Sequence, residues 1–109
     1  MKILKFLLII FFSFLFKSQI LFADEAKMIK GLEIFNETAG CAACHVLKAA
    51  ASEGNIGPNL DTVEGLSYDS VMDIVTHGLG VMPAFGEDEI LTKDEIDIVS
   101  FYVANSVGK

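Results

Sequence analysis

Apolar positions in this chain follow two patterns: a dense block at the start, then three stripes at helical spacing. In the block, the run from Phe6 to Phe16 is interrupted only by Ser13. Lys17, Ser18 and Gln19 break it, and Ile20 to Ala23 closes it before Asp24. Lys2 and Lys5 lie at its head. A basic start, an apolar centre and a small final residue make a secretory signal peptide. Residues 1–23 are therefore expected to be removed, leaving a domain of residues 24–109. Leu21 is bulkier than an ideal cleavage site asks for, so the cut position is not sharply defined. The other reading is an uncleaved N-terminal anchor. The unbroken apolar run is short for a bilayer span unless Lys17 to Gln19 are drawn in.

The stripes come later. From about Glu25 to Glu37, Met28, Ile29, Leu32 and Phe35 recur at three- and four-residue steps, and Gly40 stops the helix. A second helix is expected from Tyr68 to His77. Ser67 is placed as its N-cap, Asp69 suits the first turn, and Gly78 ends it. Its buried stripe is Val71, Ile74 and Val75, flanked by Tyr68 and Met72. The third begins with the capping box Thr92-Lys93-Asp94-Glu95 and buries Ile96, Val99, Val103 and Val107, joined by Ile98 and Tyr102. Gly108 closes it. No segment shows the two-residue alternation of a half-buried strand, so the fold class is all-α. Two loops, 48–66 and 78–91, connect the helices and are rich in Gly and Pro.

Composition sharpens this. Six of the nine Phe lie in the leader, so the domain keeps Phe35, Phe85, Phe101, Tyr68 and Tyr102, with no Trp. A domain of this size buries only about 60–65% of its unfolded surface and is marginal alone. Something else is expected to supply apolar bulk. Charge points the same way for partners. Lys2, Lys5 and Lys17 leave with the leader, so five of the eight lysines face all fifteen acidic residues, a net charge of −10. There is no Arg. Such a surface excludes nucleic acid and anionic membrane as targets and suits macromolecular partners with basic or neutral surfaces.

The chemistry lies in Cys41-Ala42-Ala43-Cys44-His45, which holds both cysteines of the chain and one of its two histidines. Four readings compete. A disulfide is the usual use of two cysteines in an exported protein, but a loop this small is a weak staple. A thioredoxin-like redox pair normally follows a strand at a helix start. Zinc needs four ligands, for which Cys41, Cys44, His45 and His77 would have to converge. Covalent haem attachment explains every position. Two thiols one turn apart reach two porphyrin vinyl groups, His45 lies under the ring centre as an iron ligand, and Ala42 and Ala43 let the backbone lie close. Haem also supplies the apolar bulk, and the leader agrees with attachment outside the cytoplasm. Met28, Met72, Met82 and His77 are the choices for the sixth iron ligand. Met28 and Met72 sit on or beside helix stripes, where Met is usually core filler. His77 sits at a helix C-terminus, where it meets the negative dipole end. Met82 lies in a glycine-rich loop, stiffened by Pro83 and with Val81 and Phe85 to exclude water, and is the ligand expected.

With these motifs in place, residues 25–108 resemble a class I c-type cytochrome of the small bacterial monohaem type. The resemblance rests on the attachment motif, on Gly57-Pro58-Asn59-Leu60, on Met82-Pro83-Ala84-Phe85, and more loosely on Gly31, Phe35, Val99 and Tyr102. It implies the cytochrome c fold, three main helices and loops wrapped around one covalently bound haem c. It implies that Cys41, Cys44, His45, Pro58 and Met82 bind the cofactor, with His45 and Met82 on iron and the Pro58 carbonyl accepting a hydrogen bond from His45. It also implies that Gly31 lets the first and last helices cross closely. The chain is shorter between Leu60 and Met82 than the long mitochondrial-type members and acidic where they carry lysines. The expected function is a soluble periplasmic one-electron carrier of a respiratory chain, not an enzyme, exchanging electrons with a redox donor and acceptor. The alternatives are an electron-accepting subunit of a dehydrogenase or oxidase complex, a peroxidase-like haem enzyme, and a haem-free thiol oxidoreductase. Glu87, Asp88 and Glu89 are expected on a solvated face that also helps dock a basic partner.

Overall fold

The computed structural model describes residues 2–109. Helix α1 (Lys2–Glu33) runs without a break from the apolar block into the first expected helix. No Gly or Pro interrupts residues 2–30, and the segment is rich in good helix formers, so nothing in its backbone chemistry stops the helix at Ala23. Every described side chain up to Ala26 is exposed, and burial begins at Lys27 and Met28. The apolar half stands clear of the rest and stretches the molecule to 66 Å along one axis. Carried through Lys17 to Gln19, the helix is long and apolar enough to cross a membrane, a test that signal sequences also pass.

One wide π turn, Ile34–Thr38, extends α1 and is closed by Ala39 N–H donating to the Ile34 carbonyl at 2.9 Å. Ile34 and Phe35, both in this turn, are fully buried. The expected stripe is therefore shifted. Met28 and Phe35 face the core as anticipated, but Ile29 is 65% exposed and Leu32 is exposed too. Gly31 sets the rotation. A Cβ there would lie 2.2 Å from Tyr102 Cβ, so the helix presents its one bare position to α3 (Lys93–Ser106) and turns Ile29 and Leu32 outward.

Helix α2 (Tyr68–His77) and α3 occur where the stripes place them. In α2, Ser67 Oγ accepts from Ser70 N–H at 3.2 Å while Ser70 Oγ accepts from Ser67 N–H at 2.9 Å. The Ser67 cap was legible, but its reciprocal partner, a serine at the position where Glu or Gln is usual, was not. In α3, Thr92 and Glu95 form the expected box, at 3.2 and 3.0 Å. Val71 and Val75 of α2 pack into one core with Ile96, Val99, Tyr102 and Val103 of α3 and with Ile34 and Phe35. The Phe35 and Tyr102 rings meet at the crossing, 6.0 Å between centroids and tilted by 57°.

Asp97 on α3 joins all three helices. Its carboxylate accepts from the Tyr68 hydroxyl of α2 and pairs with Lys27 of α1 at 3.0 Å. Lys27 also lies 5.0 Å from the Phe101 ring centroid. The Tyr68 hydroxyl first, and then Lys27, hold the Asp97 carboxyl below its ordinary range.

One feature departs from an all-helical chain: a small hairpin of β1 (Val46–Leu47) and β2 (Ser52–Glu53), antiparallel, with Val46 opposite Glu53 and Leu47 opposite Ser52. Two-residue strands carry no alternation to read. Leu47 anchors the hairpin in the core, and the buried Ser52 Oγ accepts from Leu47 N–H at 2.9 Å.

Candidate haem site

The attachment motif is a single tight turn. Gly40 adopts a left-handed conformation, φ 70°, which ends the α1 extension and redirects the chain. Cys41–Ala43 then forms one 3₁₀ turn, with Cys44 and His45 N–H groups donating to the Cys41 carbonyl at 3.1 and 3.0 Å. Gly54 covers its far side. A Cβ on Gly54 would lie 2.6 Å from the Ala43 carbonyl carbon, so the hairpin and the two alanines pack backbone to backbone.

The geometry sorts the rival readings of the two cysteines. Both are free thiols and half-buried, so no disulfide links them. Burial pushes the Cys41 thiol up to about 11. A redox pair needs the opposite, a thiolate stabilised near neutral pH. Among the described residues no three His, Cys, Asp or Glu converge as metal ligands, which removes the zinc reading.

His45 is held firmly. Its Nδ1 lies 2.7 Å from the Pro58 carbonyl oxygen. A carbonyl only accepts, so Nδ1 carries the proton and the Nε2 lone pair is left available. Gly57 lies flat against the ring. A Cβ there would sit 2.6 Å from His45 Cε1, and Gly57 N–H donates to the Cys44 carbonyl at 2.7 Å. The loop is locked from behind. Asn59 Oδ1 accepts from Asp61 N–H at 2.9 Å, and the Asp61 carboxylate accepts from Lys48 N–H at 2.8 Å and Gly108 N–H at 2.9 Å. Those two backbone bonds hold the Asp61 carboxyl below its ordinary range. Sequence reasoning missed Asp61 and Gly54. The spacing Asn59-x-Asp61 was the available signal for a side-chain turn, but the partners of Asp61 are remote in sequence.

Met82 comes from the second loop. Gly78 caps α2, its N–H donating to the Ile74 carbonyl at 2.7 Å, and its φ of 75° turns the chain back. A Cβ on Gly78 would lie 2.7 Å from the Met82 carbonyl oxygen. Leu79 and Met82 pair their backbones, at 3.3 and 3.0 Å. Met82 is half-buried and packs on the core cluster that Cys41, Ala42 and Leu60 also border. Phe85 is buried beside it, but Val81 is 91% exposed and gives the thioether no cover, contrary to expectation. Met28 and Met72 pack against the core as filler. His77 Nδ1 lies 2.5 Å from Glu87 Oε1, which turns the ring toward the acidic segment, with Asp73 Oδ1 3.7 Å from Nε2. It is poorly disposed to ligate.

Comparison with known proteins agrees. The family model described as cytochrome C oxidase, cbb3-type, subunit III matches residues 26–103. The chain belongs to this family of c-type cytochromes. The cytochrome is 34% identical over 84 residues to cytochrome c6 of Gloeothece citriformis (strain PCC 7424), covering 72% of this chain and 71% of that one. It is 44% identical to the crystal structure of the c-type cytochrome SorU from Sinorhizobium meliloti, with a TM-score of 0.70 over 78% of this chain and 95% of that one. Its cofactor is covalently bound haem c with its iron, and its role is that of a haem c electron carrier. The residues present fit that group. Two unbridged thiols share one turn, the imidazole behind them keeps Nε2 available, and only a glycine fits where the backbone meets the ring.

Proposed function

We propose that residues 24–109, freed of a leader ending at Ala23, form a soluble periplasmic one-electron carrier in which Cys41 and Cys44 anchor the haem and His45 and Met82 ligate its iron. The His45 Nδ1–H bond to the Pro58 carbonyl carries this reading, because it fixes the tautomer a metal-bound histidine needs. Haem c supplies a single-electron ferric–ferrous couple, and a neutral thioether ligand raises its potential relative to two histidines. The chain's own work is to orient and to exclude. Gly57 and the Pro58 carbonyl fix the imidazole plane, and Phe85 and the core beside it keep water from the half-buried Met82. Held by His45 and Met82 together, the iron would offer no open site to a substrate.

The test combines mass and spectrum. Native protein should carry one haem mass covalently on a chain beginning near Asp24. Its oxidised form should show the weak far-red band of iron–methionine ligation. Met82→Ala should lose that band and bind carbon monoxide at neutral pH. An unaltered spectrum in Met82→Ala would overturn the ligand assignment. A second reading, a subunit held in a larger oxidase, is favoured by the family description and by the exposed apolar half of α1. Recovery of the full-length chain only from membranes, with other subunits, would establish it in place of the free carrier.

A further inference from the structure

Residues 44–48 and 57–61 run side by side, joined by four bonds in order. Gly57 N–H donates to the Cys44 carbonyl at 2.7 Å, and His45 Nδ1–H to the Pro58 carbonyl at 2.7 Å. Leu60 N–H donates to the Val46 carbonyl at 3.0 Å, and Lys48 N–H to Asp61 Oδ2 at 2.8 Å. The first three end on main-chain carbonyls, and the fourth ends on a side chain. The other oxygen of that carboxylate accepts from Gly108 N–H, two residues past the end of α3, at 2.9 Å. Asp61 is tied to Pro58 by a compact turn. Asn59 Oδ1 accepts from Asp61 N–H at 2.9 Å, and the Asn59 carbonyl accepts from Thr62 N–H and Thr62 Oγ1, both at 3.2 Å. Pro58 has no N–H of its own, so its carbonyl is placed by what grips the chain on either side. Gly57 is the grip before it, and Leu60 and Asp61 are the grips after it. A carboxylate suits the last of these, because it has an oxygen for each of two converging donors and its charge strengthens both bonds.

We propose that Asp61 is a positioning residue for His45: by strapping residues 57–61 to Lys48 and Gly108, it fixes the Pro58 carbonyl against the Nδ1–H and so sets how strongly the imidazole donates to iron. The inference rests on the reading of His45 as an axial ligand. A firm bond from Nδ1–H to a carbonyl makes the imidazole more basic and favours ferric iron. With the strap cut, Pro58 keeps only the grips of Gly57 and Leu60. Its carbonyl then moves more freely, the bond weakens on average, and the reduction potential rises. The strap also carries the placement of α3 to the ligand, since Gly108 directly follows the helix that crosses α1 at Gly31.

The experiment follows two signals in the haem-loaded protein at neutral pH: solvent exchange of the His45 Nδ1 proton, read by NMR in the ferric form, and the reduction potential. Asp61→Ala should speed that exchange about three- to tenfold, the factor one modest hydrogen bond is worth, and should raise the potential. Asp61→Asn keeps one acceptor oxygen and should fall between Ala and native on both signals. Lys48→Pro breaks the strap from the donor side. It suits the backbone, because Lys48 opens a 3₁₀ turn and Leu47 before it is extended. With Gly108 still bonded, it should move both signals in the same direction by less. Asp97→Asn, which loosens the helices away from this loop, should leave both unchanged. If the native ferric protein shows no iron-shifted His45 resonance, the ligand reading fails and the proposal falls with it. If that resonance is present, and Asp61→Ala alters neither signal or Asp97→Asn alters them equally, the strap alone is overturned.

Discussion

Gly57 shows how much one missing methyl can carry. The His45 ring is oriented by the Pro58 carbonyl on one side and limited by Gly57 on the other. Gly57→Ala would drive a Cβ to 2.6 Å from Cε1, and the neighbour is a ring that has no freedom to yield without breaking its bond to Pro58. We expect this variant to incorporate little haem, measured as the ratio of Soret to protein absorbance in periplasmic extracts. Normal loading would mean that the ring is less constrained than its geometry indicates. At this scale the sequence was highly legible. Cys41, Cys44 and His45 sit together because the motif is local, and the Pro58 contact followed from resemblance. Asp61, Gly54 and the His77–Glu87 bond were not legible, because each is defined by a partner far along the chain or by the absence of a side chain.

Among the elements, the crossing of α1 and α3 depends on Gly31. Gly31→Ala places a Cβ 2.2 Å from Tyr102 Cβ, a clash between rigid parts of two helices. Overpacking of this kind costs about 1–3 kcal/mol, to be read as a lowered denaturant midpoint with an unchanged slope. Asp97 adds a pH dependence. Its carboxyl is held below the ordinary 3.8, so its contribution is present above that value and is lost as pH falls through the folded-state one. Asp97→Asn should therefore be less stable than the native protein at neutral pH, with the gap narrowing only as pH falls below the ordinary carboxylate range, by thermal melting. The helices themselves could be read because caps and stripes are local signals. The face of α1 could not. Apolarity alone put Ile29 and Leu32 inside, whereas the close approach at Gly31 decided the rotation.

At the scale of the whole molecule, charge and shape set the encounters. Asp88 and Glu89 are exposed next to the loop whose Leu79 and Val81 are also exposed, a small apolar tip with an acidic flank. Such a surface suits a brief meeting with a basic partner. Asp88→Asn with Glu89→Gln, which leaves Glu87 in place, should slow electron transfer to a basic redox partner at low salt and flatten its salt dependence, followed by stopped flow. An identical rate and salt slope would place docking elsewhere. The all-α class was legible from periodicity. The continuity of α1 was not, because the polar break at Lys17 to Gln19 reads as a boundary in composition but carries no helix-breaking residue.

The Asp61 carboxylate has a consequence in time as well as in space. It joins the loop behind the haem ligand to Gly108, 47 residues further on. A chain delivered N-terminus first presents Cys41, Cys44 and His45 long before that second bond can form. Until then the loop is held by only one of the two backbone bonds that later fix it. The last turn of the chain thus completes the bracing of the loop behind His45.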